Sequence, residues 1–291
     1  GELRMRYERP ETMAQAAALL DATTERAYVL AGGTDLLVRM HGDDFEADLV
    51  VDIKSIAGAC EISETGSGFE IGAGVPCAAL AENAALLAAY PGVVEAANLI
   101  GSTQIQSRCT MAGNLCNASP AADSVPALVS AGARVRVTGP NGSREVPVED
   151  VPTGPGKTSL QKGEIVEAIL LDTPEGHTGD AYLRVIPRTE MDLAVVGVGV
   201  SMTRDSDGGI STARVALGAV GPKVILSEEA AQAIVGTKLD EAALEALAEA
   251  ATAASTPIDD KRGTVAFRKK VAGVLARRAA QTAYARAGDQ S

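Results

Sequence analysis

Residues 100–128 read Ile-Gly-Ser-Thr-Gln-Ile-Gln-Ser-Arg-Cys-Thr-Met-Ala-Gly-Asn-Leu-Cys-Asn-Ala-Ser-Pro-Ala-Ala-Asp-Ser-Val-Pro-Ala-Leu. Gly101, Ser102, Thr103, Thr110, Gly113, Asn114, Asn117, Ser119 and Asp123 stand there among apolar residues with little charge. Small residues let a main chain approach a ligand closely, and their N–H groups and hydroxyls bind oxygen atoms. A second stretch of this kind is Leu30-Ala31-Gly32-Gly33-Thr34-Asp35-Leu36-Leu37. Two separated segments of this type suit a long ligand carrying a pyrophosphate, because glycine-rich turns present aligned donors to phosphate oxygens.

The chain has 291 residues, which predicts two domains, and 46% of them are apolar, enough for a substantial core. Its formal net charge of −12 argues against nucleic acid and anionic membranes, whose phosphates require clustered Lys and Arg. No apolar run approaches the ~20 residues of a transmembrane helix. The opening Gly1-Glu2-Leu3-Arg4-Met5-Arg6 is charged and does not read as a secretory signal. Cys60, Cys77, Cys109 and Cys116 form no C-x-x-C pair, so zinc and ordinary iron–sulfur spacings are missing and no metal ligands are expected. Reduced thiols in a cytoplasmic protein are the simplest expectation. With no tryptophan and 3% aromatic residues, a stacking platform for single strands is not expected either.

Residues 12–21 predict a helix capped by Thr12. Residues 28–30 and 49–53 predict strands, and 35–40 a helix or turn, so that the first ~55 residues form a β–α–β-like unit. Residues 69–71 predict a strand, 77–89 one helix, and 91–99 a second helix that feeds a long loop. Residues 133–138 and 144–148 flank Gly139-Pro140-Asn141-Gly142 as a hairpin. A strand is expected over 165–171, and three more over 181–185, 193–203 and 212–220. Helices over 227–235, 240–254 and 264–287 complete the chain. The sequence thus predicts an α+β protein with a first domain over 1–177 (subdomains near 1–55 and 56–177) and a second over 178–291, a small antiparallel sheet with a helical cluster.

Three glycine motifs fail as phosphate loops. Gly156-Lys157-Thr158 lacks the glycine five residues earlier, where Val151 stands. Gly72-Ala73-Gly74 meets Cys77 at the third glycine position, and Gly197-Val198-Gly199 meets Met202. His41 and His177 lie in polar segments and read as exposed and non-catalytic.

Ala31-Gly32-Gly33-Thr34-Asp35 alone is compatible with a plain strand-to-helix turn. Joined to Thr110-Met111-Ala112-Gly113-Asn114 and Ser119-Pro120-Ala121-Ala122-Asp123, it resembles the FAD-binding medium subunit of molybdenum hydroxylases, the family of xanthine dehydrogenase and aerobic carbon monoxide dehydrogenase. Tyr7-Glu8-Arg9-Pro10, Gly154-Pro155-Gly156-Lys157-Thr158, Gly163-Glu164-Ile165-Val166, Tyr182-Leu183-Arg184 with Arg188 and Asp192-Leu193-Ala194, and residues 263–278 extend the resemblance over nearly the whole chain. It implies a two-part FAD-binding domain of the p-cresol methylhydroxylase and vanillyl-alcohol oxidase type, with FAD held non-covalently.

The resemblance implies the following roles. Leu30, Ala31, Gly32, Gly33, Thr34, Asp35 and Leu36 would wrap the pyrophosphate. Thr110, Ala112, Gly113 and Asn114 would meet the pyrophosphate and ribityl region from the other side, with Ser102 and Thr103 in the same segment. Ile100 would pack near the ring system, and Ile165 or Val166 against the adenine end. Arg184 would take the basic position near the flavin, in place of the more usual lysine, and Asp192 a carboxylate position at its edge. Asp123 would accept a hydrogen bond from a cofactor hydroxyl; the alternative is a helix N-cap before residues 125–130. Arg188, Glu190 and Asp192 also read as a solvated charge run, and Cys109 and Cys116 as small buried residues rather than redox groups. The family commonly carries glycines where Cys109 and Ala112 stand; Ala112 would weaken or shift FAD binding if its backbone had to take φ > 0.

The function so implied is transfer of electrons from an iron–sulfur subunit through FAD to NAD, a quinone or oxygen, with [2Fe–2S] clusters and molybdopterin on separate small and large partner subunits. No residue of this chain is expected to be catalytic on the hydroxylated substrate. Two alternatives stay open: a stand-alone FAD-dependent oxidase of a small alcohol or phenol, and an assembly module without FAD.

Overall fold

In the computed structural model, which describes residues 6–24, 27–31, 35–39, 49–100, 109–186, 195–258 and 264–289, Thr12 opens the first helix as expected. Its hydroxyl accepts the N–H of Gln15 at 3.1 Å and caps α1, Met13–Ala22. Met13, Ala16, Ala17 and Leu20, spaced for one helix face, are buried. The helix lies beside a four-stranded sheet of β1 (Arg6–Glu8), β2 (Ala27–Ala31), β3 (Asp35–Arg39) and β4 (Leu49–Asp52), in the order β1-β4-β2-β3. β4 runs parallel to both β1 and β2, while β3 returns antiparallel to β2. The helix or turn expected over 35–40 is therefore corrected: residues 35–39 are a strand. Ala31 pairs with Asp35, and Leu36-Leu37-Val38 continues as an extended apolar run within β3.

The second sheet is antiparallel. β5 (Ile62–Thr65), β6 (Gly68–Gly72), β7 (Arg134–Gly139), β8 (Gly142–Pro147) and β11 (Ile165–Asp172) stand in the order β5-β6-β11-β7-β8. The short β9 (Pro152–Gly154) and β10 (Lys157–Thr158) pair with each other. The predicted hairpin forms with Gly139 opposite Gly142, so Pro140 and Asn141 make the turn. The single helix expected over 77–89 is two, α2 (Cys77–Leu80) and α3 (Ala84–Ala89), because Asn83 accepts the N–H of Leu86 at 2.9 Å and starts a new helix. α4 follows over Pro91–Asn98. The described part of the expected long loop is largely helical, with α5 (Met111–Cys116) and α6 (Ser124–Ser130).

The third sheet is a meander of β12 (His177–Val185), β13 (Val196–Arg204), β14 (Ile210–Gly218) and β15 (Ile225–Leu226). α7 (Glu228–Gln232), α8 (Glu241–Ala254) and α9 (Val265–Gly288) cover it, capped by Ser227, Asp240 and Thr264. Gly199 and Gly218, on β13 and β14, let α6 settle onto this sheet. A Cβ at 199 would lie 2.5 Å from the Pro126 carbonyl oxygen, and one at 218 would lie 2.6 Å from Pro126 Cγ. Of the two glycines of the failed phosphate motif in β13, Gly199 thus serves close helix–sheet packing, while Gly197 makes room for the Tyr182 side chain. The molecule is α+β with two buried apolar clusters, and Tyr182 of β12 belongs to the cluster beneath the first two sheets. Among the described residues no helix is long and apolar enough to cross a membrane.

Candidate functional site

β2 and β3 bring Leu30 opposite Leu36 and Ala31 opposite Asp35 at the hairpin end. Gly32, Gly33 and Thr34 lie outside the described residues, as do Ser102, Thr103 and Asp192. α5 packs against β3, so the helix carrying Thr110, Ala112, Gly113 and Asn114 lies beside the strand that begins one residue after Thr34. The two segments that stand about 75 residues apart in sequence are therefore neighbours in space.

Thr110 is 1% exposed and caps α5, its hydroxyl accepting the Gly113 N–H at 2.9 Å. Its main chain bridges to Pro76, and the Cys109 carbonyl accepts the Cys77 N–H at 2.9 Å, which fixes the helix start. Met111 and Ala112 hold the first two positions of the helix, whose N–H groups have no partner within a helix. Ala112 is buried in an α-helical backbone, so a positive φ is not required there and its replacement of glycine carries no conformational cost. The Asn114 side-chain oxygen accepts the hydroxyl of Ser124 at 2.6 Å and its N–H at 3.3 Å, tying α5 to α6. Ile165 and Val166 are buried on β11, which α5 also touches. Ile100 is half-buried just after α4, its N–H reaching the Ala97 carbonyl at 3.2 Å.

Asp123 stands at the N-cap position of α6, as the alternative reading expected, but its side chain makes no capping hydrogen bond there. Its Oδ1 instead accepts the Tyr182 hydroxyl at 2.7 Å, and its Oδ2 accepts Arg184 Nη1 at 2.6 Å. The Asp123 and Arg184 side chains are only 6% and 12% exposed. Burial, and then the Asp123 charge, hold the Tyr182 phenol well above its ordinary range, so it remains a donor. Tyr182, which the sequence reading quoted beside Arg184 without giving it a role, shares one face of β12 with Arg184 through the spacing of two. Burial of its sulfur pushes the Cys116 thiol up to about 12, so Cys116 stays protonated and unreactive. Among the described residues no group of His, Cys, Asp and Glu side chains could hold a metal ion.

A capped helix start, small residues, a buried cation and apolar strand residues together fit an anionic dinucleotide with an apolar ring system. The comparisons with known proteins agree. The family described as the FAD binding domain in molybdopterin dehydrogenase matches residues 3–173, and the one described as the CO dehydrogenase flavoprotein C-terminal domain matches residues 181–283. The chain belongs to the family of FAD-binding medium subunits of molybdenum hydroxylases, and it is an oxidoreductase component. It is 36% identical to the carbon monoxide dehydrogenase medium chain of Afipia carboxidovorans, over 97% of each chain. It is 31% identical to the xanthine dehydrogenase FAD-binding subunit of Escherichia coli O157:H7, again over 97% of each. Among solved structures, the reconstituted CO dehydrogenase from Oligotropha carboxidovorans superposes with a TM-score of 0.88 at 34% identity, covering 97% of this chain and 98% of that one.

Proposed function

We propose that this chain is the electron-carrying flavoprotein of a complex with a small iron–sulfur subunit and a large molybdopterin subunit, working in the cytoplasm. The observation that carries this reading is the packing of α5 against β3, which sets the two small-residue segments side by side. When bound, FAD supplies exchange between one-electron and two-electron transfer, which suits a subunit set between an iron–sulfur protein and NAD, a quinone or oxygen. Gly32, Gly33 and Thr34 with the start of α5 would hold the pyrophosphate; Ala31, Asp35 and Leu36 would frame it. Ser102 and Thr103 would add donors. Ile165 and Val166 would line the adenine end, Ile100 the ring system, and Arg184 and Asp192 the flavin edge. The division of labour follows a two-part FAD domain of the p-cresol methylhydroxylase type over 1–177 and a second domain over 178–291.

The test is FAD uptake by the purified full chain, read by flavin absorbance and by thermal unfolding. Free FAD at one hundred times its dissociation constant should stabilise the chain by about 2.7 kcal/mol. Colourless protein that shows neither uptake nor stabilisation in excess FAD refutes the proposal.

A further inference from the structure

α8 and α9 lie side by side on the third sheet. Thr252 Oγ1 donates to the Lys269 carbonyl at 3.0 Å, a Cβ at Gly273 would lie 3.0 Å from the Ala248 carbonyl oxygen, and Arg277 Nη2 donates to Glu241 at 2.6 Å. The two helices are therefore antiparallel. In this register Glu245 comes level with the stretch between Val274 and Arg278, and Glu249 with the stretch between Lys270 and Val274. β13 turns Val196, Val198, Val200 and Met202 into the core beneath the pair, and Gly199 the other way, onto α6. The outer face of the pair thus points away from α6.

The charges on that face are sorted by helix. α8 carries Glu241, Glu245 and Glu249 and no cation. α9 carries Arg268, Lys269, Lys270, Arg277, Arg278 and Arg286 and no carboxylate, in a chain whose net charge is −12. Arg277 pairs with Glu241, but Glu245, Glu249, Lys270 and Arg278 are exposed, and their charged groups meet no partner among the described residues. Like charges four residues apart on a helix repel, so the sorting is unfavourable until opposite charge is laid along each ridge. Among the cations of α9, Phe267 is 48% and Val274 38% exposed. We propose that this face docks a second copy of the chain. A two-fold axis parallel to the helices lays α8 of each copy along α9 of the other. Glu245 then meets the other copy's Arg278, Glu249 meets its Lys270, and Val274 is enclosed between the two pairs. The contact is isologous, so each pair occurs twice. The 14 residues of α8 make the shared face about 21 Å long, a size that suits a weak, reversible dimer.

The test is sedimentation velocity of the full chain over a concentration series. Wild type is expected to dimerise with a Kd on the order of 10 μM. One variant carries Glu245→Lys with Glu249→Lys, and a second carries Lys270→Glu with Arg278→Glu. Each alone turns every attractive pair into a repulsive one and should raise the Kd at least about tenfold. Mixed in equal amounts, the two variants present opposite ridges throughout and should form a heterodimer at least as tight as the wild-type dimer. Salt gives a second reading on the unmodified chain: the Kd should rise about tenfold as screening shortens from about 10 Å at 0.1 M to about 3 Å at 1 M. A wild type that stays monomeric up to about ten times the expected Kd overturns the inference, including the case in which this face is reserved for an iron–sulfur or molybdopterin subunit. So does a dimer that neither variant weakens, or one that salt leaves unchanged. Variants that are monomeric alone and still monomeric when mixed overturn the two-fold pairing. If a variant fails to fold, the salt series on wild type decides.

Discussion

The carboxylate of Asp180 accepts the main-chain N–H of Gly92 at 3.0 Å, and that of Val93 at 3.1 Å, closing the start of α4 from a neighbouring strand. Arg286 braces the same contact, donating to the Asp180 carbonyl at 2.8 Å and pairing with Glu95 at 2.6 Å. α4 leads to Ile100 and so into the segment that the functional reading assigns to FAD.

Burial raises the Asp180 carboxyl from 3.8 to about 6, against the opposing pull of Gly92, Val93 and Arg286, while Glu95 adds to the rise. The folded chain therefore keeps this proton up to about pH 6, and the unfolded chain loses it near 3.8. Between those values the native state binds more protons, so this group's contribution to stability falls as pH rises and is constant above the window. Asp180→Asn removes the titration. The unfolding free energy of the wild type minus that of Asp180→Asn should decline between about pH 4 and pH 6, by no more than about 3 kcal/mol. Urea unfolding at a series of pH values reads this difference, and a flat difference would contradict the assignment.

Gly199 and Gly154 should respond in opposite ways to a methyl group. At 199 the new Cβ meets the Pro126 carbonyl at 2.5 Å and Ser130 Oγ at 2.7 Å, main chain and buried side chain that have little room to yield. Gly199→Ala should cost about 2–3 kcal/mol, and larger side chains more. At 154 nothing lies within 4 Å, and Gly154→Ala should stay within about 0.5 kcal/mol of wild type. Denaturant midpoints of the two variants test the packing of α6 on the sheet.

Thr110→Val keeps the shape of residue 110 but removes the hydroxyl that accepts the Gly113 N–H. Loss of such a cap costs about 1 kcal/mol, and Thr110→Ser should recover most of it. If α5 helps to hold the pyrophosphate, FAD affinity should fall in Thr110→Val by more than the global stability change accounts for. Parallel melting and FAD titration separate the two effects.

Caps, alternation and turns were legible where each signal is local. Thr12, Ser227, Asp240 and Thr264 all cap the helices expected after them, and the expected hairpin forms, with Pro140 and Asn141 as its turn where an Asn141-Gly142 turn was expected. The misreadings came where a short apolar or alanine-rich run carries no period of its own. Asp35–Arg39 is too short to distinguish strand from helix, and its partner β2 decides the outcome. In 77–89 the alanines concealed the break at Asn83. At the candidate site, the resemblance supplied Asp123 and Arg184, but their link through Tyr182 depends on β12 crossing beneath α6, a long-range placement that no local pattern encodes.

Tyr182 grows from the third sheet yet is buried among side chains beneath the first two. A chimera joining residues 1–177 of this chain to the C-terminal half of a relative would inherit the donor's side chain at that spot. The graft would remove the hydroxyl that Asp123 Oδ1 accepts wherever the donor lacks one there. Exchange of halves between relatives is thus constrained by one phenol that belongs to both.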